Sequence, residues 1–252
     1  MTQQAPAAKR ADLYRMVMPT HTCPYGLKAL HLLKSKGFAV DDHWLRTREE
    51  TDAFKAEHEV KTTPQIFIDG KRVGGYDDLR RHFGQAVPDP KKPTYTPVLA
   101  VFAGAALMAA AVSHLSLGTV FSLRTAELFI AFSMVVLAVL KLQNVEKFST
   151  MFLNYDLLAK RWVPYGYVYP FAELGAGVLM AAGALNIVSV PVALVIGTTG
   201  AVSVFKAVYI DKRELKCACV GGDSNVPLGF VSLTENLMMV VMALWMGFRH
   251  GL

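Results

Sequence analysis

The sequence predicts two folds in one chain: a small α/β domain over residues 12–85, then an all-α transmembrane helix bundle of five spans over residues 97–250. Three observations carry this expectation. Charge is unevenly spread: residues 1–92 are rich in Lys, Arg, Asp and Glu, whereas 97–250 are dominated by long apolar runs. In the first part, short apolar segments alternate with helical patterns and are punctuated by Gly and Pro. The second part holds five apolar stretches, near 97–116, 124–142, 164–184, 187–209 and 227–248. Each is close to the ~20 residues that cross a bilayer as a helix. One such stretch can be a buried soluble helix; five in succession argue against that.

Residues 1–11 read as a flexible tail with no apolar leader core. Leu13–Met18 is a short strand, followed by Thr22-Cys23-Pro24-Tyr25-Gly26 and a helix over Leu27–Lys36 that stops at Gly37. Cys23 therefore stands at a helix N-terminus, where unpaired N–H groups and the helix dipole stabilise an anion. The thiolate is the reactive form of cysteine, so the location favours chemistry; a half-buried loop cysteine is the plainer alternative. Phe38–Leu45 is a second strand. Thr47 then caps a helix, with Glu50 three residues on completing a capping box. Thr63-Pro64-Gln65-Ile66-Phe67-Ile68 is a strand that begins at a proline. Asp69-Gly70 turns into the return strand Arg72-Val73, and Gly74-Gly75-Tyr76-Asp77-Asp78-Leu79 leads into a last helix.

Three of these motifs together, Thr22-Cys23-Pro24-Tyr25, Thr62 to Asp69 and Gly74 to Leu79, resemble a glutaredoxin over about residues 12–85. The resemblance implies a thioredoxin-like fold with Pro64 in cis beside the cysteine, and a glutathione groove. In that groove Cys23 would be catalytic, with Pro24 and Tyr25 lining the site. Thr63 would pair its backbone with the glutathione cysteine, Lys61 would reach the glycine carboxylate, and Asp77 and Asp78 would hold the γ-glutamyl end. Elementary chemistry agrees, since glutathione has an amine that wants a carboxylate and carboxylates that want cations and free N–H groups. Two departures matter. The family's usual second cysteine is Gly26 here, which points to a monothiol cycle through a glutathione mixed disulfide. The lysine that many members place three residues before the cysteine is Thr20, leaving the dipole and His21 beside the sulfur. The motif is not the Cys-Gly-Phe-Ser type that resembles iron–sulfur carriers.

A proline-rich linker, residues 86–96 with Pro88, Pro90, Pro93, Lys91 and Lys92, leads to the apolar half. Such spacers are semi-rigid, at about 3 Å per residue. Lys91, Lys92, Lys147, Lys160, Arg161, Lys212, Arg213 and Lys216 fall on alternate connections, while the other side carries only Arg124 and Arg249. Basic loops stay inside, so the N-terminal domain is expected in the cytoplasm and the C-terminus outside, in a bacterial inner membrane. The net charge of +6 belongs to these loops and implies no nucleic-acid partner. Lys141-Leu142-Gln143, Tyr155-Asp156-Leu157-Leu158, Tyr169 to Leu174, Lys216-Cys217-Ala218-Cys219-Val220-Gly221-Gly222 and Glu235-Asn236 resemble the redox-associated membrane family typified by MauE and DoxX, over about 124–248. That family core is a four-helix bundle, and here an extra first span precedes it.

Three cysteines, an odd number, do not describe a secreted disulfide scaffold. Cys217 and Cys219 flank one residue on the expected cytoplasmic side, with Lys212, Arg213 and Lys216 nearby to favour thiolates. They read as a dithiol that exchanges with Cys23. A Cys-x-Cys disulfide closes a small ring and should be readily reduced. A site for Cu(I) or Zn, or two small residues packed at a helix end, are the rivals; no metal site is expected as the first reading. Glu173 and Glu235 sit inside spans three and five, and intramembrane carboxylates are functional candidates by default. Glu127 and Lys206, nearer span ends, read as structural residues able to snorkel, and the methionines as packing. The expected activity is that of a membrane-tethered, glutathione-dependent thiol–disulfide oxidoreductase, acting on an unidentified disulfide or glutathionylated protein beside the lipid bilayer. The alternative is a transporter or metal-handling protein with a glutathione-binding regulatory domain.

Overall fold

The computed structural model describes residues 9–87, 89, 92–218 and 225–251. The chain divides into two compact units, Met1–Asp89 and Pro90–Leu252. Residues 1–8 of the expected tail, Pro88, Pro90 and Lys91 of the linker, and Cys219, Val220, Gly221 and Gly222 lie outside the described residues.

The first unit runs β1 (Arg10–Met18), β2 (His21–Thr22), α1 (Pro24–Ser35), β3 (Ala39–Leu45), α2 (Arg48–Glu57), β4 (Gln65–Ile68), β5 (Lys71–Gly74) and α3 (Tyr76–His82). Strand β1 begins inside the stretch expected to be tail, because Arg10 and Ala11 pair with Ala39 and Val40 of β3. The short strand β2, which the pattern did not announce, folds back on Val17 and Met18. Strand β1 pairs in parallel with β3 and antiparallel with β4, and β4 pairs antiparallel with β5. Alternation along β1 sends Ala11 and Leu13 to one face, where they meet Ala29, Leu32 and Leu33 of α1, Ile66 of β4 and Leu79 of α3. On the other face Tyr14 stacks on Phe54 of α2, with ring centroids 4.7 Å apart. A mixed sheet with helices on both faces fits a thioredoxin-like domain. Thr47 caps α2 as expected, its Oγ1 accepting from Glu50 N at 3.1 Å. The return half of the box differs: the Glu50 carboxylate accepts from the backbone N–H of Arg46, at 2.6 Å, one residue ahead of the cap.

The second unit is helical: α4 (Thr96–Leu117), α5 (Leu123–Leu142), α6 (Val145–Phe152), α7 (Leu157–Arg161), α8 (Pro164–Ala182), α9 (Asn186–Phe205, extended by a π-turn over Lys206–Ile210) and α10 (Phe230–His250). Four helices have the length and apolar composition to cross a membrane: Thr96–Leu117, Leu123–Leu142, Asn186–Ile210 and Phe230–His250. The stretch expected as span three is α8. It is helical throughout, but Pro164, Tyr165, Tyr167, Tyr169, Pro170 and Glu173 dilute its apolar character, and it is not one of the four. Leu115 of α4 and Phe248 of α10 are each 85% exposed, and Phe121 in the connection between α4 and α5 is 93% exposed, an outward apolar surface suited to lipid. The chain is a multi-pass membrane protein.

Close helix approach depends on small residues. A Cβ on Gly177 of α8 would lie 3.1 Å from Ala131 O of α5, and one on Gly197 of α9 would lie 3.1 Å from Asn236 O of α10. Between α5 and α8 the chain forms the short helices α6 and α7, and Phe148 and Phe152 of α6 stack with a ring separation of 5.0 Å. Met134, Met180, Met239, Met242 and Met246 are all buried in this core.

Candidate functional site

Cys23 is the N-cap residue of α1, with Pro24 in the first helical position. Its N–H donates to Met16 O at the end of β1, at 3.1 Å, and its carbonyl accepts from Leu27 N at 3.1 Å. Cys23 is only 4% exposed, while Pro24 and Tyr25 beside it are exposed. The Thr63–Pro64 peptide bond is cis. Tyr14 pairs with Gln65 in the antiparallel ladder. Continuing that register, Thr63 and Pro64 stand opposite Met16 and Arg15, the end of β1 that holds Cys23. A Cβ on Gly75 would be 3.7 Å from Pro64 O, so the start of α3 closes on the same place. The fold thus gathers Cys23, Thr63 and Pro64 at one end of the sheet, from segments about forty residues apart.

Tyr25 and Tyr76 face each other with ring centroids 6.3 Å apart, and Lys28 Nζ lies over Tyr25 at 5.6 Å. Lys61 and Asp77 are exposed. Asp78 is already engaged: it accepts from Gly75 N at 3.0 Å and from Arg81 at 2.6 Å. Gly74 has φ 118, and a Cβ there would collide with the Asp78 carboxylate. Both acidic residues expected to hold an amine are exposed, and Asp78 in addition braces the start of α3. The donor set fits glutathione, with a cation for its carboxylates and a carboxylate for its amine. A groove of about 600 Å³ beside β5 and α3, lined in part by Lys71, Arg72, Asp78 and Arg81, does not include Cys23.

Arg15 was not singled out by its sequence context. It is 5% exposed and makes two bonds to Asp42, at 2.8 and 2.7 Å. Burial alone would raise the Asp42 pKa. Hydrogen bonds from Arg15 and Trp44, with the charge of Arg15, outweigh that and leave the carboxyl below its usual range. The Arg15 stem fills the space where a side chain at position 26 would stand: a Cβ on Gly26 would be 2.7 Å from Arg15 Cβ.

In the helical unit, Glu173 of α8 and Glu235 of α10 are brought together by a residue that motif reading had only quoted. Lys141 Nζ, near the end of α5, donates to both oxygens of Glu173, at 2.7 and 2.6 Å, and to Glu235 Oε1, at 2.9 Å. The ammonium also lies 5.4 Å from the centre of the Tyr169 ring. All three charged side chains are almost fully buried, at 3%, 0% and 6% exposed. The signal available beforehand was a lone lysine inside an apolar stretch, since opposite charges in neighbouring spans pair. Cys217 is buried and disulfide-bonded, and the other half of that bond lies outside the described residues. Ser232 Oγ lies 3.1 Å from Cys217 Sγ and precedes Glu235 by one helical turn on α10. Glu127 departs from expectation. It does not snorkel but is buried, accepting from Arg124, Trp245 and Arg249 at 3.1, 3.0 and 2.7 Å. Lys206 pairs with Asp211 at 2.7 Å. Among the described residues, Asp12, Asp41 and His43 cluster on the sheet surface, where His43 lies 3.1 Å from Asp12.

A family model for glutaredoxin matches residues 13–73, and one described as methylamine utilisation protein MauE matches residues 117–249. The first unit is 38% identical over 71 residues to the probable glutaredoxin ssr2061 of Synechocystis sp., covering 27% of this chain and 81% of that protein. It is 41% identical over 63 residues to glutaredoxin 3 of Escherichia coli (strain K12), covering 23% and 71%. It is also 38% identical over 61 residues to the hybrid peroxiredoxin hyPrx5 of Haemophilus influenzae, of which the chain spans only 25%. Helix α4 lies almost wholly ahead of the MauE match. The likeness to DoxX rests on the short motifs alone. With the MauE model covering more than half of its length and a glutaredoxin domain ahead of the membrane helices, the protein belongs to the MauE family as a membrane-associated, glutaredoxin-type redox protein.

Proposed function

We propose that this protein is a membrane-tethered, glutathione-dependent thiol–disulfide oxidoreductase of the bacterial inner membrane, with Cys23 as its monothiol nucleophile. The observation that carries the reading is Cys23 as the N-cap of α1, at the sheet end that also bears cis Pro64, with Gly26 where a second thiol would stand. The Cys23 thiolate attacks the glutathione sulfur of a glutathionylated protein. The mixed disulfide breaks, the protein leaves as a thiolate, and glutathione remains on Cys23. A second glutathione thiolate then attacks that adduct, forming oxidised glutathione and returning Cys23. Thr63, Lys61, Asp77 and Tyr25 bind the tripeptide, and Asp78 holds the α3 start in place. The Cys217 disulfide is a second acceptor. The charge pattern assigns its loop and the first domain to the cytoplasmic side, and a short tether raises effective concentration to the millimolar order.

Treatment of the full chain in native membranes with oxidised glutathione should place one adduct on the Cys23 peptide, and Cys23→Ser should abolish it. An unmodified wild-type Cys23 would overturn the assignment. Under mild oxidation, peptide mapping should further recover a link between the Cys23 peptide and the peptide holding Cys217 and Cys219. Normal glutathionylation without that link would leave the two centres chemically independent.

A further inference from the structure

The donors of one ammonium fix how the buried triad can be charged. Lys141 Nζ donates to Glu173 Oε1 and Oε2 and to Glu235 Oε1, at 2.7, 2.6 and 2.9 Å. A lysine has three N–H donors and no more, so its inventory is spent. Glu235 Oε2 is buried and has no hydrogen-bond partner. With every group ionised, the triad would hold one positive and two negative charges. Glu173 is 0% and Glu235 6% exposed, so water does not screen the excess. A buried carboxylate with no partner neutralises rather than staying charged. One proton balances the triad, and the oxygen without a donor is the place for it.

Among the described residues, no group around Glu235 supplies the missing positive charge. Helix α5 presents Lys141, and α8 presents Glu173 and Tyr169, whose ring centre lies 5.4 Å from the ammonium. Between α6 and α7, burial raises the Tyr155 pKa, and the charges of Glu235, Asp156 and Glu173 raise it further, so that hydroxyl stays neutral. Helix α9 has no ionisable side chain over Asn186–Phe205, and Lys206 beyond it pairs with Asp211. Cys217, against Ser232 one turn ahead of Glu235, is disulfide-bonded. A hard metal cation does not fit, because it takes about six oxygens and the ammonium already occupies the space between the carboxylates.

We propose that the triad is an intramembrane proton-binding site: Glu173 and Glu235 hold one proton between them, carried on Glu235 Oε2 and exchanged with water through Glu235. Both oxygens of Glu173 are held by the ammonium and that residue is sealed, whereas Glu235 keeps one free oxygen and a small exposed edge. The step joins one proton from water to one carboxylate oxygen, and no electron moves. Release leaves one negative charge between α5, α8 and α10, so the site turns proton activity into charge inside the bundle. The inference stands apart from the thiol chemistry of Cys23.

The test is infrared spectroscopy of the full chain in lipid, in light and heavy water, at neutral and alkaline pH. The wild type should show the carbonyl band of one protonated carboxyl at neutral pH. Carbon-13 glutamate should shift that band, which separates it from Asp156. It should also move in heavy water and vanish at alkaline pH. Glu235→Gln and Glu173→Gln should each abolish it, because Lys141 then balances the single carboxylate that remains. A wild type without a protonated glutamate at neutral pH would overturn the proposal, as would a band that survives in both variants. A band that heavy water leaves unmoved would refute exchange. If either variant fails to fold, the wild-type band and its response to heavy water decide the matter. A missing band together with a thermal midpoint raised by sodium or potassium would make the ligand a metal cation and equally refute the proton site.

Discussion

Gly26 lacks a side chain for a reason its neighbours in sequence do not reveal. A Cβ there would stand 2.7 Å from Arg15 Cβ and 2.8 Å from Arg15 Cδ. Arg15 cannot step aside cheaply, since both oxygens of Asp42 hold its guanidinium and Trp44 Nε1 donates to the same carboxylate at 2.8 Å. Restoring a two-cysteine centre with Gly26→Cys would thus force atoms into filled space. Overpacking of this kind costs about 1–3 kcal/mol. The expected result is a lower unfolding midpoint for the glutaredoxin domain under reducing conditions, followed in the full chain by hydrogen exchange of β1 and α1. A midpoint equal to wild type would mean that Arg15 yields without cost. Cys23 itself was legible because a helix start is a local feature. The Arg15–Asp42 pair joins residues 27 apart, and no short window contains both.

Helices α5, α8 and α10 each contribute one charged residue to the same buried point. Each alone would be an expensive intramembrane charge; together the ammonium neutralises one carboxylate and shares the second. Removing the cation leaves two carboxylates facing each other in an apolar bundle. Breaking a buried pair in this way costs about 3–5 kcal/mol. Lys141→Met should therefore lower the thermal midpoint of the detergent-solubilised protein sharply. Adding Glu173→Gln and Glu235→Gln to that variant should recover part of the loss, because the uncompensated charge goes. No recovery would show that the lysine acts through packing against Tyr169. The glutamates were legible as isolated anomalies in apolar runs. Their common partner was not, since Lys141 lies 32 and 94 residues away from them along the chain.

At the scale of the whole molecule, the loop charges carry a prediction of orientation. Basic residues cluster before α4, between α5 and α8 and between α9 and α10, and the opposite connections have few. If α8 crosses as well as the four more apolar helices, the count is odd and the termini are expected on opposite sides. A reporter fused after Leu252 should behave as extracytoplasmic, and one at Met1 as cytoplasmic. Both termini on the cytoplasmic side would mean that one helix does not cross. The tyrosine- and proline-bearing α8 is then the first to re-examine, because Glu173 is tolerated there only through Lys141.

Sequence alone determined the change of solvent along the chain, the β-α-β start with Cys23 at its helix, and the glutaredoxin motif order. These follow from periodicity, capping and turn chemistry, which act over a few residues. It also marked Glu173, Glu235 and Cys217 as unusual, because a charge or thiol stands out against an apolar run. Only the tertiary structure decided what those residues meet. Lys141 between two glutamates, Ser232 on Cys217 Sγ, Arg15 beneath Gly26 and three donors on Glu127 are all contacts between elements distant in sequence. A buried polar group must find a partner wherever the fold brings one, and that choice is made by packing geometry rather than by neighbouring residues.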